Sequence, residues 1–241
     1  MHRTSKARLL VLAFCAVLPS FVKRPFYRWF FGYQIGKRVR IGVTIIDAGE
    51  CRIDDDVSIG HLNVVTRVQK FVVKDHVRIG HLNIIRGGDE VSLGRYCEII
   101  RLNEINSIPD PDVVNEIDPV FVLGDGSIVT TGHKIDFTDR VQIGRRVILG
   151  GRNSSLWTHN RQRTLPITIG SLVYIGSEIR MAPGSAIPAR SIVGIGSVIT
   201  AQLAEEGKLI AGVPAKTLKE LSSEDQFLIE RKTRPDLPDD V

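Results

Sequence analysis

Three cysteines in 241 residues are too few and too scattered to frame a fold. Cys15, Cys51 and Cys97 share no disulfide-type or metal-type spacing, which argues for a reducing compartment and against a disulfide framework. Cys51 and Cys97 read as small apolar fillers of a core. Acid is missing from the N-terminal region: nine basic residues precede Asp47, the first carboxylate. The remaining 23 basic and 27 acidic residues leave a body of net −4 inside a chain of net +5. A bilayer-spanning run is also missing. The apolar stretch Leu9–Val22 is 14 residues long and interrupted by Pro19, whereas a span needs about 20.

Residues 1–34 therefore form an apolar and basic arm, expected to be helical. A signal peptide fits poorly, because Lys23 and Arg24 are followed by an aromatic cluster, Phe26, Tyr27, Trp29, Phe30 and Phe31. A lipoprotein reading needs a small residue before Cys15, and Phe14 is not one. Basic residues flanking Leu and aromatic side chains suit a segment lying among lipid headgroups. The expectation is peripheral membrane contact through residues 1–31; the competing reading is that the arm only caps the core.

What the chain has in abundance is a beat of six. VSIGHLNVV at Val57–Val65 returns as VRIGHLNII at Val77–Ile85. Aliphatic residues recur at Ile35, Ile41, Ile53, Ile59 and Val65, then at Val73, Ile79 and Ile85. The cleanest run has Ile169, Ile175, Met181, Ile187, Val193 and Ile199. A period of six fits neither a helix nor a simple alternating strand. It fits a chain that turns a corner every six residues, with one aliphatic side chain per side pointing inward. Three sides close a coil of 18 residues, and stacked coils make a prism with a continuous core. The small residue after each aliphatic one would let the chain turn tightly. The expected organisation is an all-β coil over 35–201 with loops at 103–120 and 160–168. A C-terminal extension over 202–241 should carry a short helix at Ser222–Lys232, capped by Ser222, and end in a frayed PDLPDD.

The hexads strongly resemble the left-handed parallel β-helix of the hexapeptide-repeat acyltransferases, an exception to right-handed crossovers. More specific is LWTHN at Leu156–Asn160, followed by a polar loop and Pro166-Ile-Thr-Ile-Gly. Ile175-Gly176-Ser177 and Ala211-Gly212-Val213-Pro214-Ala215 come next, in that order. This set resembles the galactoside and maltose acetyltransferase branch, which polysaccharide O-acetyltransferases share in part. The resemblance implies a CoA-dependent O-acyltransferase, most simply an acetyltransferase using acetyl-CoA, that modifies a sugar hydroxyl without a covalent acyl-enzyme.

The chemistry suits His159. A sugar hydroxyl attacking a thioester must lose its proton in the transition state, and a neutral imidazole can take it. The thioester oxygen gains charge, so a backbone N–H should face it; the resemblance assigns that donor to Ser177. It also assigns Ser177, Ile195 and Thr200 to the pantetheine arm of acetyl-CoA, and Lys216 and Lys219 to its phosphates. Ile195 stands where a smaller residue is usual, and the two lysines can also be read as ordinary surface charge. His133 and Asp136, in TTGHKIDFTD, fall in the stretch that shapes the acceptor pocket. His133 is the second choice for the base, and Asp136 can also be read as a corner residue making a local turn bond.

The same resemblance implies a homotrimer with each site between two prisms. With the arm, it suggests a cytoplasmic enzyme at the inner membrane face, acting on a sugar or lipid-linked saccharide in surface-polysaccharide synthesis. No nucleic-acid partner is expected. The fold also hosts zinc carbonic anhydrases, which resemble Gly-His-x4-His in their ligand pattern. Here Thr66 and Arg86 stand five residues after His61 and His81, so no metal is expected. His61 and His81 are read as an outward polar ladder. A nucleotidyltransferase is excluded by the lack of a Gly-rich phosphate loop before the coils. A non-catalytic, membrane-attached scaffold is the rival from another class.

Overall fold

The residues on the beat of six all face one interior. The computed structural model describes residues 5–108 and 115–241, and in it the hexad aliphatics from Ile35 to Ile199 are at most 4% exposed. Register makes them columns. Ile41, Ile59, Ile79, Ile99, Val129, Leu149, Ile175, Val193 and Ile210 pair in parallel from coil to coil. A second column runs through Val65, Ile85, Ile105, Ile135, Leu156, Met181 and Ile199. A third runs from Ile35 through Ile53 and Val73 to Ile187. Among the described residues the fold is an all-β, left-handed parallel β-helix of about nine coils with three short helices. Each such side chain leaving water contributes about 1.5–3 kcal/mol, which is why the period alone can hold the prism.

The small residue after each aliphatic one has a different task from the one expected. A Cβ on Gly60 would lie 2.2 Å from the carbonyl oxygen of Gly80, and one on Gly80 would lie 1.9 Å from that of Ile100. Glycine is needed there because the next coil passes too close. The left-handed corner positions themselves are held by Leu62, Leu82 and Leu102, with φ of 58°, 60° and 58°.

Inside that corner runs a buried amide ladder. The Asn63 side-chain oxygen accepts from the backbone N–H and side-chain amide of Asn83, each at 3.0 Å. Asn83 does the same for Asn103 at 3.1 Å. His61 and His81 stand outside it with rings stacked 5.6 Å apart and 4° from parallel. Their Nδ1 atoms accept the backbone N–H groups of Val43 and His61, so they form a ladder of corner caps.

Both ends of the prism are covered. Helices α1 (Lys6–Val17) and α2 (Ser20–Phe31) form a hairpin across the N-terminal end; residues 1–4 of the arm lie outside the described residues. The first coil has none beneath it, and α2 supplies donors to its carbonyls. Lys23 Nζ reaches those of Ile41, at 3.3 Å, and Gly42. Arg24 donates to Gly36 O at 3.2 Å and Arg28 to Ile35 O. Arg8 pairs with Asp47 at 2.7 Å. Arg8, Lys23, Arg24 and Arg28 thus hold the arm against the end of the prism.

At the other end the coil runs past Ala201. Lys208–Gly212 adds a parallel strand beside Ile192–Val193, and Ala215–Glu220 returns antiparallel to it. Helix α3 (Ser223–Glu230) starts at a capping box between Ser222 and Asp225; the expected cations, Arg231 and Lys232, fall just past its end. The loops are also shorter than expected. Glu104–Asn106 is still strand and the chain rejoins the coil at Val120, while Ile167–Ile169 resumes it after the second excursion. Pro109 and Pro111 lie outside the described residues.

The PDLPDD end is not frayed. Arg234, 3% exposed, donates to the carbonyls of His76 and Tyr96, each at 3.0 Å, and Asp236 pairs with Arg78 at 2.8 Å. Leu237 and Val241 are buried. Two apolar side chains and one arginine hold this segment along the prism. Arg234→Ala should therefore cost roughly 1.5–3 kcal/mol in urea unfolding and open the segment after Lys232 to trypsin; an unchanged digest would show that the apolar anchors suffice.

Candidate active site

His159 lies just beyond the strand Ser155–Leu156, where the coil breaks into a tight antiparallel turn closed by a His159–Thr164 bridge. Asn160 Oδ1 accepts the N–H groups of Gln162 (2.8 Å) and Arg163 (3.0 Å), which shapes the turn. The first excursion reaches across to brace it. Asn115 accepts from Thr164 N–H and donates to Thr164 O, both at 2.9 Å. Arg140 pairs with Asp118 at 2.7 Å on the same side.

The imidazole is held by Asp136. His159 Nδ1 is 2.8 Å from Asp136 Oδ2, which also accepts the N–H of Thr158 (2.9 Å) and its hydroxyl (2.7 Å). The other carboxylate oxygen takes the Thr138 hydroxyl at 2.6 Å and its N–H at 3.2 Å. A carboxylate oxygen facing these donors can only accept, so Nδ1 carries the proton and Nε2 keeps its lone pair. Nε2 makes no hydrogen bond among the described residues. The Asp136 side chain is 3% exposed and that of His159 19%. The pair thus presents one open nitrogen on a fixed ring.

Two residues of the expected acceptor stretch lie in the interior. Asp136 was expected at the acceptor or as a corner residue making a local turn bond; its oxygens take His159, Thr158 and, two residues on, Thr138. His133 was expected beside it, or as the alternative base, but it is fully buried and continues the amide ladder. Its N–H donates to Asn103 Oδ1 at 2.9 Å, and its Nδ1 accepts from Ser154 N–H at 3.2 Å. Nε2 lies 2.9 Å from the Thr130 hydroxyl, which passes its own proton to Leu149 O. Burial pushes the imidazole down to about 4. Both ring nitrogens of His133 are thus engaged in the interior.

The residues assigned to the acyl donor fall on the same end of the prism. Ser177 and Ile195 occupy equivalent corners of successive coils, joined by Gly196 N–H to Ser177 O at 3.0 Å. The Ser177 N–H donates to no acceptor among the described residues, and no hydrogen bond joins Ser177 to His159. Gly151 sits directly against it, where a Cβ would lie 1.7 Å from the Ser177 hydroxyl. Thr200 follows the next strand, Val198–Ile199, and is exposed. Lys216 and Lys219 stand exposed on the returning strand, opposite Ala211 and Leu209, and make no ion pair among the described residues.

The Asp136–His159 pair was missed in the sequence, though the beat carried a signal for it. Register pairs Ile135 with Leu156, so Asp136 must lie beside the Trp157-Thr158-His159 segment. Thr138 and Asn115 had no such signal, because only the folded excursions bring them in.

No family model matches the sequence. Galactoside O-acetyltransferase of Escherichia coli K12 is 36% identical over 63 residues, which is 26% of this chain and 30% of that protein. A putative acetyltransferase of Saccharomyces cerevisiae is 29% identical over 106 residues, 44% of this chain and 45% of its own. The chain thus matches less than half the length of either curated relative. Among solved structures, the polySia-specific acetyltransferase NeuO superposes with a TM-score of 0.57 at 17% identity, over 78% of this chain and 86% of that one. A hexapeptide transferase family protein from Anaplasma phagocytophilum gives 0.50 at 18%, over 68% and 86%; at these identities the likeness is one of fold. The chain thus resembles acetyltransferases over part of its length and shares the β-helical fold of these solved structures. Among the described residues, no group of three or more His, Cys, Asp or Glu side chains is placed to hold a metal ion.

Proposed function

We propose that the protein is an O-acyltransferase that moves an acetyl group from acetyl-CoA to a sugar hydroxyl, with His159 as general base. The observation that carries this reading is the free Nε2 of His159, fixed by a buried Asp136 that holds the proton on Nδ1. As the acceptor oxygen attacks the thioester carbon, its proton passes to Nε2. Negative charge builds on the former carbonyl oxygen, and the unpartnered N–H of Ser177 suits it. Collapse breaks the C–S bond, and the imidazolium returns the proton to the departing thiolate of CoA. Ser177, Ile195 and Thr200 would flank the pantetheine arm, with Lys216 and Lys219 near the phosphates.

The reading places the site between neighbouring prisms of a homotrimer, as the resemblance to hexapeptide-repeat acyltransferases implies. The column of exposed leucines, Leu62, Leu82 and Leu102, supports such packing. It also places the enzyme in the cytoplasm, with its arm on the inner membrane face, acting on a saccharide bound for surface polysaccharide. The test is CoA release from acetyl-CoA across a panel of sugars and nucleotide sugars, with His159→Ala as control. Release that no acceptor stimulates, or that the control matches, overturns the proposal.

A further inference from the structure

The N-terminal hairpin has its outer face more apolar than its inner one. On α1, Leu12, Cys15 and Ala16 are buried. From Leu9 to Val17 the outward positions are Leu, Val, Ala and Phe, with no charged side chain among them. Across the hairpin Leu10, Phe14, Val17, Phe21, Trp29 and Phe30 are between 63% and 83% exposed. A helix facing water normally turns a polar face outward, and a patch of this kind marks a surface that is covered in use.

Charge says what covers it. No carboxylate occurs before Asp47. Arg24 and Arg28 donate to neutral carbonyls, which leaves their positive charge uncancelled, whereas Arg8 is balanced by Asp47 and Lys23 is buried against the first coil. Lys37 and Arg40 add two cations on the first coil with no ion pair among the described residues. Apolar side chains rimmed by unbalanced cations complement a bilayer with anionic headgroups, because both parts of the free energy point the same way. Among the described residues no helix is long and apolar enough to cross a membrane, and the proposed contact is with one leaflet.

We propose that the outer face of the α1–α2 hairpin docks the prism end-on onto an anionic lipid surface, with Phe14, Phe21 and Trp29 inserted and Arg24 and Arg28 at headgroup level. This specifies the membrane contact proposed above. It also leaves the site clear. From Ile41 to Leu149 there are five steps between coils, which at about 4.8 Å each puts the coil of His159 roughly 24 Å from the docked end.

The full chain should float with vesicles of mixed phosphatidylglycerol and phosphatidylcholine, and less with pure phosphatidylcholine. Tryptophan emission should shift to shorter wavelength on binding, and Trp29→Phe should abolish the shift. Phe14→Glu combined with Phe21→Glu should weaken binding at least about tenfold with the thermal unfolding curve unchanged, since both side chains are exposed. A wild-type chain that stays with the unbound fraction at low salt overturns the proposal. So does a double variant that floats like wild type, or a wild-type assembly that the double variant splits, which would make the face an interface between copies. Flotation needs no acceptor and no turnover, so failure of the acetyl-transfer reading leaves its outcome interpretable.

Discussion

His159→Ala should lower acyl transfer about 10²–10⁴-fold while leaving acetyl-CoA binding and the thermal unfolding curve intact. The side chain is partly exposed and sits on a turn, not among the core columns. Asp136 keeps four other donors from Thr158 and Thr138 when the ring is removed, so no buried charge is stranded. Asp136→Asn should also depress transfer, by a different route. An amide nitrogen facing Nδ1 favours the tautomer with the proton on Nε2, which cannot act as a base. The two variants are separated by acetyl-CoA titration and by the pH profile of CoA release: Asp136→Asn should retain a residual, pH-dependent rate that His159→Ala lacks. Wild-type rates in His159→Ala would remove this residue from the reaction, and the structure leaves no second open imidazole beside it.

His133→Asn should make the protein more resistant to acid. Burial holds this histidine neutral, with a folded value of about 4 against an ordinary value of 6.5. A group depressed in this direction binds its proton more readily in the unfolded chain. Its stabilising effect is complete above about pH 6.5 and is lost as pH falls toward 4, by about 3 kcal/mol at the low end. Asparagine at 133 restores the residue type that Asn63, Asn83 and Asn103 supply on the coils below, and it has no proton to gain. Urea midpoints measured at pH 7 and near pH 4.5 should differ strongly for the wild type and much less for the variant. Equal pH slopes would mean that His133 is reached by solvent. Transfer at neutral pH should be preserved in the variant, because His133 makes no hydrogen bond to His159 or Asp136.

That contrast between two histidines shows where legibility ended. In the sequence His133 and His159 are both polar interruptions of an aliphatic beat, one coil apart. What separates them is direction. His133 lies on the inside of a corner, in line with three asparagines whose spacing of 20 residues was visible in the repeated IGHLN and RLN segments. His159 lies past the end of a strand, where the turn to Thr164 carries it out of the coil. The arm divided in the same way. Its charge and apolar content were legible, but the assignment of Lys23, Arg24 and Arg28 to backbone carbonyls required the open end of the first coil to exist.

By itself the sequence determined the prism, because a period of six with one inward aliphatic side chain per side is a local rule that each coil repeats on its neighbour. It also determined the capped helix after Leu221 and the place, at LWTHN, where the pattern breaks. Only the tertiary structure decided which polar residues meet. Asp136 reaches His159 across 23 positions, Asn115 reaches Thr164 across 49 and Arg234 reaches His76 across 158. Such pairings depend on how excursions and ends fold back over the coils. Hydrogen bonds form wherever burial strands a donor beside an acceptor, and no periodicity in the chain records that.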